Sequence, residues 1–151
     1  LYLGALAAGG TEEAARGLLD LGLDAGVAFQ LQDDLLNLVG DAEAQGKDFR
    51  SDITEGKRTL AVVWALEHLG EKDRSELVGL LASSTADPAE LARAVELIEA
   101  GGGIERCRAL GRELAERAKG RARGLAEDEL VTAEARDLLV SMADFFVERA
   151  A

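Results

Sequence analysis

A single proline stands in these 151 residues, directly behind Asp87, where it opens a helix rather than breaking one. With Asp87 as the cap and Pro88 as the first helical residue, even this proline argues for helix. Elsewhere the chain is rich in Ala, Leu, Glu and Arg and only 4% aromatic, so residue choice favours helix over strand from end to end. The expected class is all-α, a helical bundle, and a hydrophobic fraction of 48% suffices for one core in a chain of this length.

Caps and periodicity place the helices. Residues 1 to 8 begin without Met and without a cap, and read as a helix entered midway in a longer protein. Thr11 is the expected N-cap of a helix with Glu12 and Glu13 in its first turn, running to about Val39 and closed by Gly40 and Asp41. Residues 41 to 56 are polar and read as a loop with one helical turn. Helical spacing resumes from Thr59 to Leu69 with Gly70 as the stop, followed by a short helix over 72 to 82 and the Asp87-capped helix ending near Gly101. A long charged helix from Ile104 to about Ala126 buries Ile104, Leu110, Leu114 and Ala118, and a last helix spans 131 to 149. Gly101-Gly102-Gly103 reads as a helix-helix junction, so a single domain is expected over the whole chain.

Charge narrows the partners. Seventeen Lys+Arg against 29 Asp+Glu give a net charge of -12, which repels nucleic acid and anionic lipid surfaces, and no apolar run reaches the ~20 residues of a membrane span. The reading is a soluble, untargeted cytoplasmic protein. The lone Cys107 is read as a small packing residue, His68 as a surface or capping residue and Trp64 as core. Gly101-Gly102-Gly103 lacks the strand that dinucleotide binding requires, and no nucleophile elbow is present.

The chemistry concentrates on the first long helix. Gln30, Asp33, Asp34 and Asn37 fall at i, i+3, i+4 and i+7 on one face, while Leu23, Val27, Leu31, Leu35, Leu38 and Val39 are available for packing on others. Adjacent carboxylates on a mostly buried helix are costly unless neutralised, and a divalent cation with oxygen ligands would do so. Gly22 and Gly26 continue the stripe and leave space beside the backbone. Two of only four lysines, Lys47 and Lys57, follow in Gly-Lys pairs suited to gripping a phosphate-bearing ligand that also bridges the metal.

Phe29-Gln30-x-x-Asp33-Asp34-x-x-Asn37, followed by Gly40-Asp41, Gly46-Lys47, Asp52 and Glu55-Gly56-Lys57-x-Thr59-Leu60, is similar in order and spacing to the second aspartate-rich region of trans-isoprenyl diphosphate synthases. The likeness is to the C-terminal half of that family. It implies an isoprenoid synthase helical bundle in a magnesium-dependent transferase of the geranyl, farnesyl or geranylgeranyl diphosphate synthase type. In such enzymes an allylic diphosphate ionises and isopentenyl diphosphate attacks the cation. Carried over by position, Asp33 is a direct Mg2+ ligand, Asp34 a supporting carboxylate and Asn37 the third member of the metal motif in place of Asp. Gln30 faces the reacting centre, Lys47 and Lys57 hold diphosphate oxygens, and Asp52 lies nearby in the substrate site. The first DDxxD and a Lys-Thr pair are expected ahead of Leu1, so this chain alone is expected to be inactive. The resemblance also implies a homodimer. The rival reading is a non-catalytic helical subunit that regulates a partner synthase, motivated by Asn37.

Overall fold

A computed structural model of the chain describes residues 1–40 and 49–148, and every described element is a helix. They are α1 (Tyr2–Ala7), α2 (Glu12–Val39), α3 (Ser51–Thr54), α4 (Leu60–His68), α5 (Glu71–Ala82), α6 (Pro88–Ala100), α7 (Gly103–Glu127) and α8 (Ala133–Glu148). Expected caps are in place: the Thr11 hydroxyl accepts from Ala14 N at 3.1 Å, and Asp87 Oδ1 accepts from Ala89 N and Glu90 N at 2.8 and 3.2 Å. The helical turn foreseen in the polar segment is α3. Gly101 to Gly103 is the tight junction expected between α6 and α7, and Leu110 is only half-buried.

The described residues divide into two compact units, one formed by 1–30 with 110–148 and the other falling within 31–109. Each of α2 and α7 therefore contributes to both. In the first unit, Leu21 and Ala25 of α2 pack with Ala118, Ala122 and Leu125 of α7 and Ala143 of α8. Small residues dominate this core and let helix backbones come close; a Cβ on Gly17 would meet Leu125 at 2.4 Å. Asp24 is buried beside it and bound by Arg117 and, at 2.8 Å, by Arg121.

In the second unit, the end of α2 buries Leu31, Leu35, Leu36 and Leu38, alongside Ile53, Val62, Leu77, Leu97, Ile98 and Ile104 from the other helices. The α6–α7 junction packs against α4 at backbone distance. A Cβ on Gly103 would stand 2.0 Å from the Ala61 carbonyl oxygen, so only glycine fits there. Trp64 is half-buried rather than core: His68 stacks on its ring at 4.3 Å and the Arg106 guanidinium covers it at 5.2 Å. His68 is exposed, as expected.

Candidate functional site: an aspartate pair and its lysine

The site is built where α2 ends and the chain returns through α3 into α4, all within the second unit. Helical geometry sets the two neighbouring aspartates apart: Asp33 is exposed, while Asp34 is 8% exposed and faces inward. Asp52, in the first turn of α3, is likewise buried. Lys57 answers both, its Nζ donating to Asp34 Oδ1 at 2.9 Å and to Asp52 Oδ2 at 3.0 Å. The Asp34 hydrogen bond, with Asp52 adding to it, raises the Lys57 pKa above its ordinary value against the opposing effect of burial. Two of the three ammonium donors are thus engaged, and a side chain 43% exposed leaves the head within reach of an outside anion.

The loop chemistry explains how Lys57 gets there. Lys57 N donates to the Asp52 carbonyl at 2.8 Å, closing a turn through Gly56. Gly56 has φ +63 and a Cβ there would meet the Leu81 carbonyl oxygen at 2.8 Å, so both conformation and space demand glycine. Thr59, buried, then caps α4 by accepting from Val62 N at 3.4 Å. Gly56 and Thr59 are thus scaffold within the Glu55 to Leu60 motif, a division of labour that spacing does not reveal.

Asn37 is half-buried, and both ends of its carboxamide are engaged. Nδ2 donates to Ser51 Oγ at 3.1 Å, and Oδ1 accepts from Asp52 N at 3.1 Å. Gln30 lies on the same helix one turn ahead of Asp33, exposed, as the last residue of the first unit. Lys47, with Asp41 and Gly46, lies outside the described residues. Cys107 is buried in the same unit; burial, with the Asp34 charge second, pushes its thiol up to about 11, which suits a packing residue.

Among the described residues no group of three His, Cys, Asp or Glu side chains gathers to hold a metal. An exposed Asp33 without a hydrogen-bonding or ion-pair partner among the described residues is nevertheless a hard oxygen donor facing outward. Mg2+ is commonly held by one or two carboxylates with waters and substrate phosphates completing its shell, so the donor set fits that mode and not a closed protein cage.

The first unit carries a further feature that the stripe of small residues foreshadowed. An apolar groove of about 390 Å3 is lined by Leu19, Gly22, Leu23, Gly26, Met142 and Phe146, among others, and a Cβ on Gly26 would meet nothing within 4 Å. The buried Asp24 with Arg117 and Arg121 was not foreseen. Its signal was there to read: Asp20 and Asp24 on one helix and Arg117 and Arg121 on another are opposite charges at matching i, i+4 spacing.

Known proteins share this arrangement of helices. A geranylgeranyl pyrophosphate synthase from Corynebacterium glutamicum, solved with isoprenyl diphosphate and magnesium, superposes with a TM-score of 0.81 at 33% identity, over 97% of this chain and 41% of that one. A geranylgeranyl pyrophosphate synthetase from Pyrococcus horikoshii gives 0.78 at 31% identity over 92% and 40%. The fold therefore defines the class, an all-helical isoprenyl diphosphate synthase type. The sequence narrows it, because the polyprenyl synthetase profile matches residues 1–98 and a short chain isoprenyl diphosphate synthase of Methanothermobacter thermautotrophicus is 41% identical over 146 residues. The chain belongs to the polyprenyl synthetase family, a family of prenyltransferases in isoprenoid synthesis. A (2E,6E)-farnesyl diphosphate synthase of Mycobacterium tuberculosis is 43% identical over 67% of the chain. This chain spans 43% of the length of the Methanothermobacter relative and 29% of the mycobacterial one.

Proposed function

We propose that this chain supplies one half of the active site of a magnesium-dependent prenyltransferase that joins an allylic diphosphate to isopentenyl diphosphate. The observation that carries the proposal is the lysine held between two buried carboxylates beside an exposed Asp33. Relatives solved with isoprenyl diphosphate, one with magnesium and one with calcium, support the substrate class.

In this reading Asp33 is the direct ligand and Asp34 the carboxylate behind it. Bound Mg2+ would neutralise charge on the departing diphosphate, as metal ions do at developing oxyanions. The chain's own residues hold and orient. Lys57 presents its remaining donor to a diphosphate oxygen while Asp34 and Asp52 fix its head, so little reorganisation is needed when charge leaves the allylic carbon. Lys47 is assigned a second diphosphate contact and Gln30 a place facing the reacting carbon. Taken by itself, the first unit's apolar groove offers the dry walls that a prenyl tail or an allylic cation requires. No described helix is long and apolar enough to cross a membrane, and the reading carries with it a cytoplasmic homodimer.

Calorimetry with inorganic diphosphate and Mg2+ tests the site in this chain. Asp33→Ala is expected to abolish the magnesium-dependent part of the binding, and Lys57→Ala to weaken it about 10-fold, the scale of a lost charge-assisted hydrogen bond. Turnover of labelled isopentenyl diphosphate with allylic substrates, by a protein spanning the full length of its relatives, tests the reaction. Diphosphate binding that ignores Mg2+ and both substitutions defeats the proposal.

A further inference from the structure

We propose that Asn37 is a positioning residue rather than a metal ligand: reaching from α2, its carboxamide caps α3 from outside and so fixes Asp52 against Lys57. The inference rests on the diphosphate-binding reading above for its functional consequence, though the capping itself stands apart from it. α3 is a four-residue helix whose N-cap is Arg50, and Arg50 makes no side-chain capping bond; with φ 59 it sits in the left-handed region. The first N–H groups of any helix lack intrahelical partners, and here that of Asp52 is satisfied from a residue 15 positions earlier. Asn37 Oδ1 accepts from Asp52 N at 3.1 Å, Asn37 Nδ2 donates to Ser51 Oγ at 3.1 Å, and the Asn37 carbonyl accepts from Arg50 N at 2.8 Å. Three consecutive residues, Arg50, Ser51 and Asp52, are thereby tied to one.

That grip acts on the site because Asp52 is committed three ways. Its backbone N–H is held by Asn37, its carboxylate holds Lys57 Nζ at 3.0 Å, and its carbonyl receives Lys57 N at 2.8 Å. A shift of α3 would move the lysine head with it. The bond from Asp52 N fixes which end of the carboxamide is oxygen and commits one of that oxygen's two lone pairs to a backbone donor. An Asp in this position would keep the acceptor, with Ser51 able to reverse its hydroxyl and donate; a Leu would supply neither.

Amide hydrogen exchange by NMR on the full chain reads the capping without any ligand. Asn37→Leu is expected to speed exchange of the Asp52 amide about 10-fold relative to amides in the middle of α2, and Asn37→Asp to leave it within about 2-fold, since caps are worth that order of free energy. In calorimetry with Mg2+ and inorganic diphosphate, Asn37→Leu should weaken binding about 5-fold through Lys57, while Asn37→Asp should stay near wild type. An Asp52 amide that exchanges as slowly in Asn37→Leu as in wild type overturns the proposal. So does an Asn37→Asp variant that binds Mg2+ about 10-fold more tightly, since that is the signature of a ligand. If Asn37→Leu fails to fold, Asn37→Ala removes the carboxamide with a residue that suits the helix, and faster Asp52 exchange there supports the clamp while exchange as slow as in wild type defeats it. Absence of diphosphate binding in wild type would sink the functional reading and leave the exchange result to decide the clamp.

Discussion

Lys57 is the residue on which the local electrostatics turn, because two buried carboxylates face its head and nothing else in the described residues pairs with them both. Removing it takes from Asp34 and Asp52 the cation that the two carboxylates share. Lys57→Met is therefore expected to cost about 2 kcal/mol, reduced from the figure for a fully buried pair because the ammonium is 43% exposed. Urea unfolding checks this, and Lys57→Met combined with Asp52→Asn should cost less than the sum of the two single changes. At this scale the sequence was legible in part. The i, i+3, i+4, i+7 spacing put Gln30, Asp33, Asp34 and Asn37 on one stripe of α2, though not that Asp34 turns inward while Gln30 and Asp33 stay exposed, and composition drew attention to Lys57. What arrives opposite each of them was not legible. Asp34 meets Lys57 across 23 positions and Asn37 meets Asp52 across 15, and helical period states where a side chain leaves its helix but not what the chain returns to it. Arg50 in the left-handed region was equally hidden, since nothing local demands that conformation of an arginine.

Between elements, the first unit is tied by Asp24 of α2, which takes Arg117 and Arg121 of α7. The Arg117 hydrogen bond is the largest cause of a carboxyl pKa below its ordinary 3.8, working against burial. A group depressed in the folded state stabilises above its unfolded pKa and loses that contribution as pH falls through the folded one. Stability should thus hold from neutrality to about pH 4 and then drop, with Asp24→Asn removing part of the drop in urea titrations from pH 7 to pH 2. The two ways of breaking the tie are unequal. Asp24→Asn frees two arginines that can reach water and should cost about 1 kcal/mol, whereas Arg117→Met with Arg121→Met strands a buried carboxylate and should cost about 3 kcal/mol. A different tie joins α6 and α7 to α4. Gly103→Ala drives a methyl group into the Ala61 carbonyl and should lower stability by more than about 2 kcal/mol in thermal unfolding. Helix limits and this junction were readable, because caps, one proline and three glycines are local signals. In the polar stretch the presence of a helical turn was readable but not what anchors it, since α3 is tied by Asn37 and by a long-range bond from the Thr54 hydroxyl to the Thr85 carbonyl, at 2.8 Å.

For the molecule as a whole, charge and apolar surface pull in opposite directions. Leu19, Leu23 and Val27 stand at i, i+4 and i+8 on α2 and are 41%, 58% and 48% exposed; on α8, Leu138, Met142 and Phe145 are 62%, 41% and 62% exposed. Apolar faces of this kind favour association, since burying them removes about 25 cal/mol per Å2 from water. A net charge of -12 opposes it through repulsion between copies. Repulsion is screened by salt, with a Debye length of about 30 Å at 0.01 M falling to about 3 Å at 1 M, while hydrophobic burial is not weakened by it. Self-association of this chain should therefore rise with sodium chloride, visible as a sedimentation coefficient that grows with both protein and salt concentration. Leu23→Gln with Phe145→Gln changes no charge and should suppress that growth while leaving the helical circular dichroism intact. A sedimentation coefficient indifferent to salt, or a double variant indistinguishable from wild type, would show that these faces do not drive contact and that the acidic surface alone governs how copies of the chain meet.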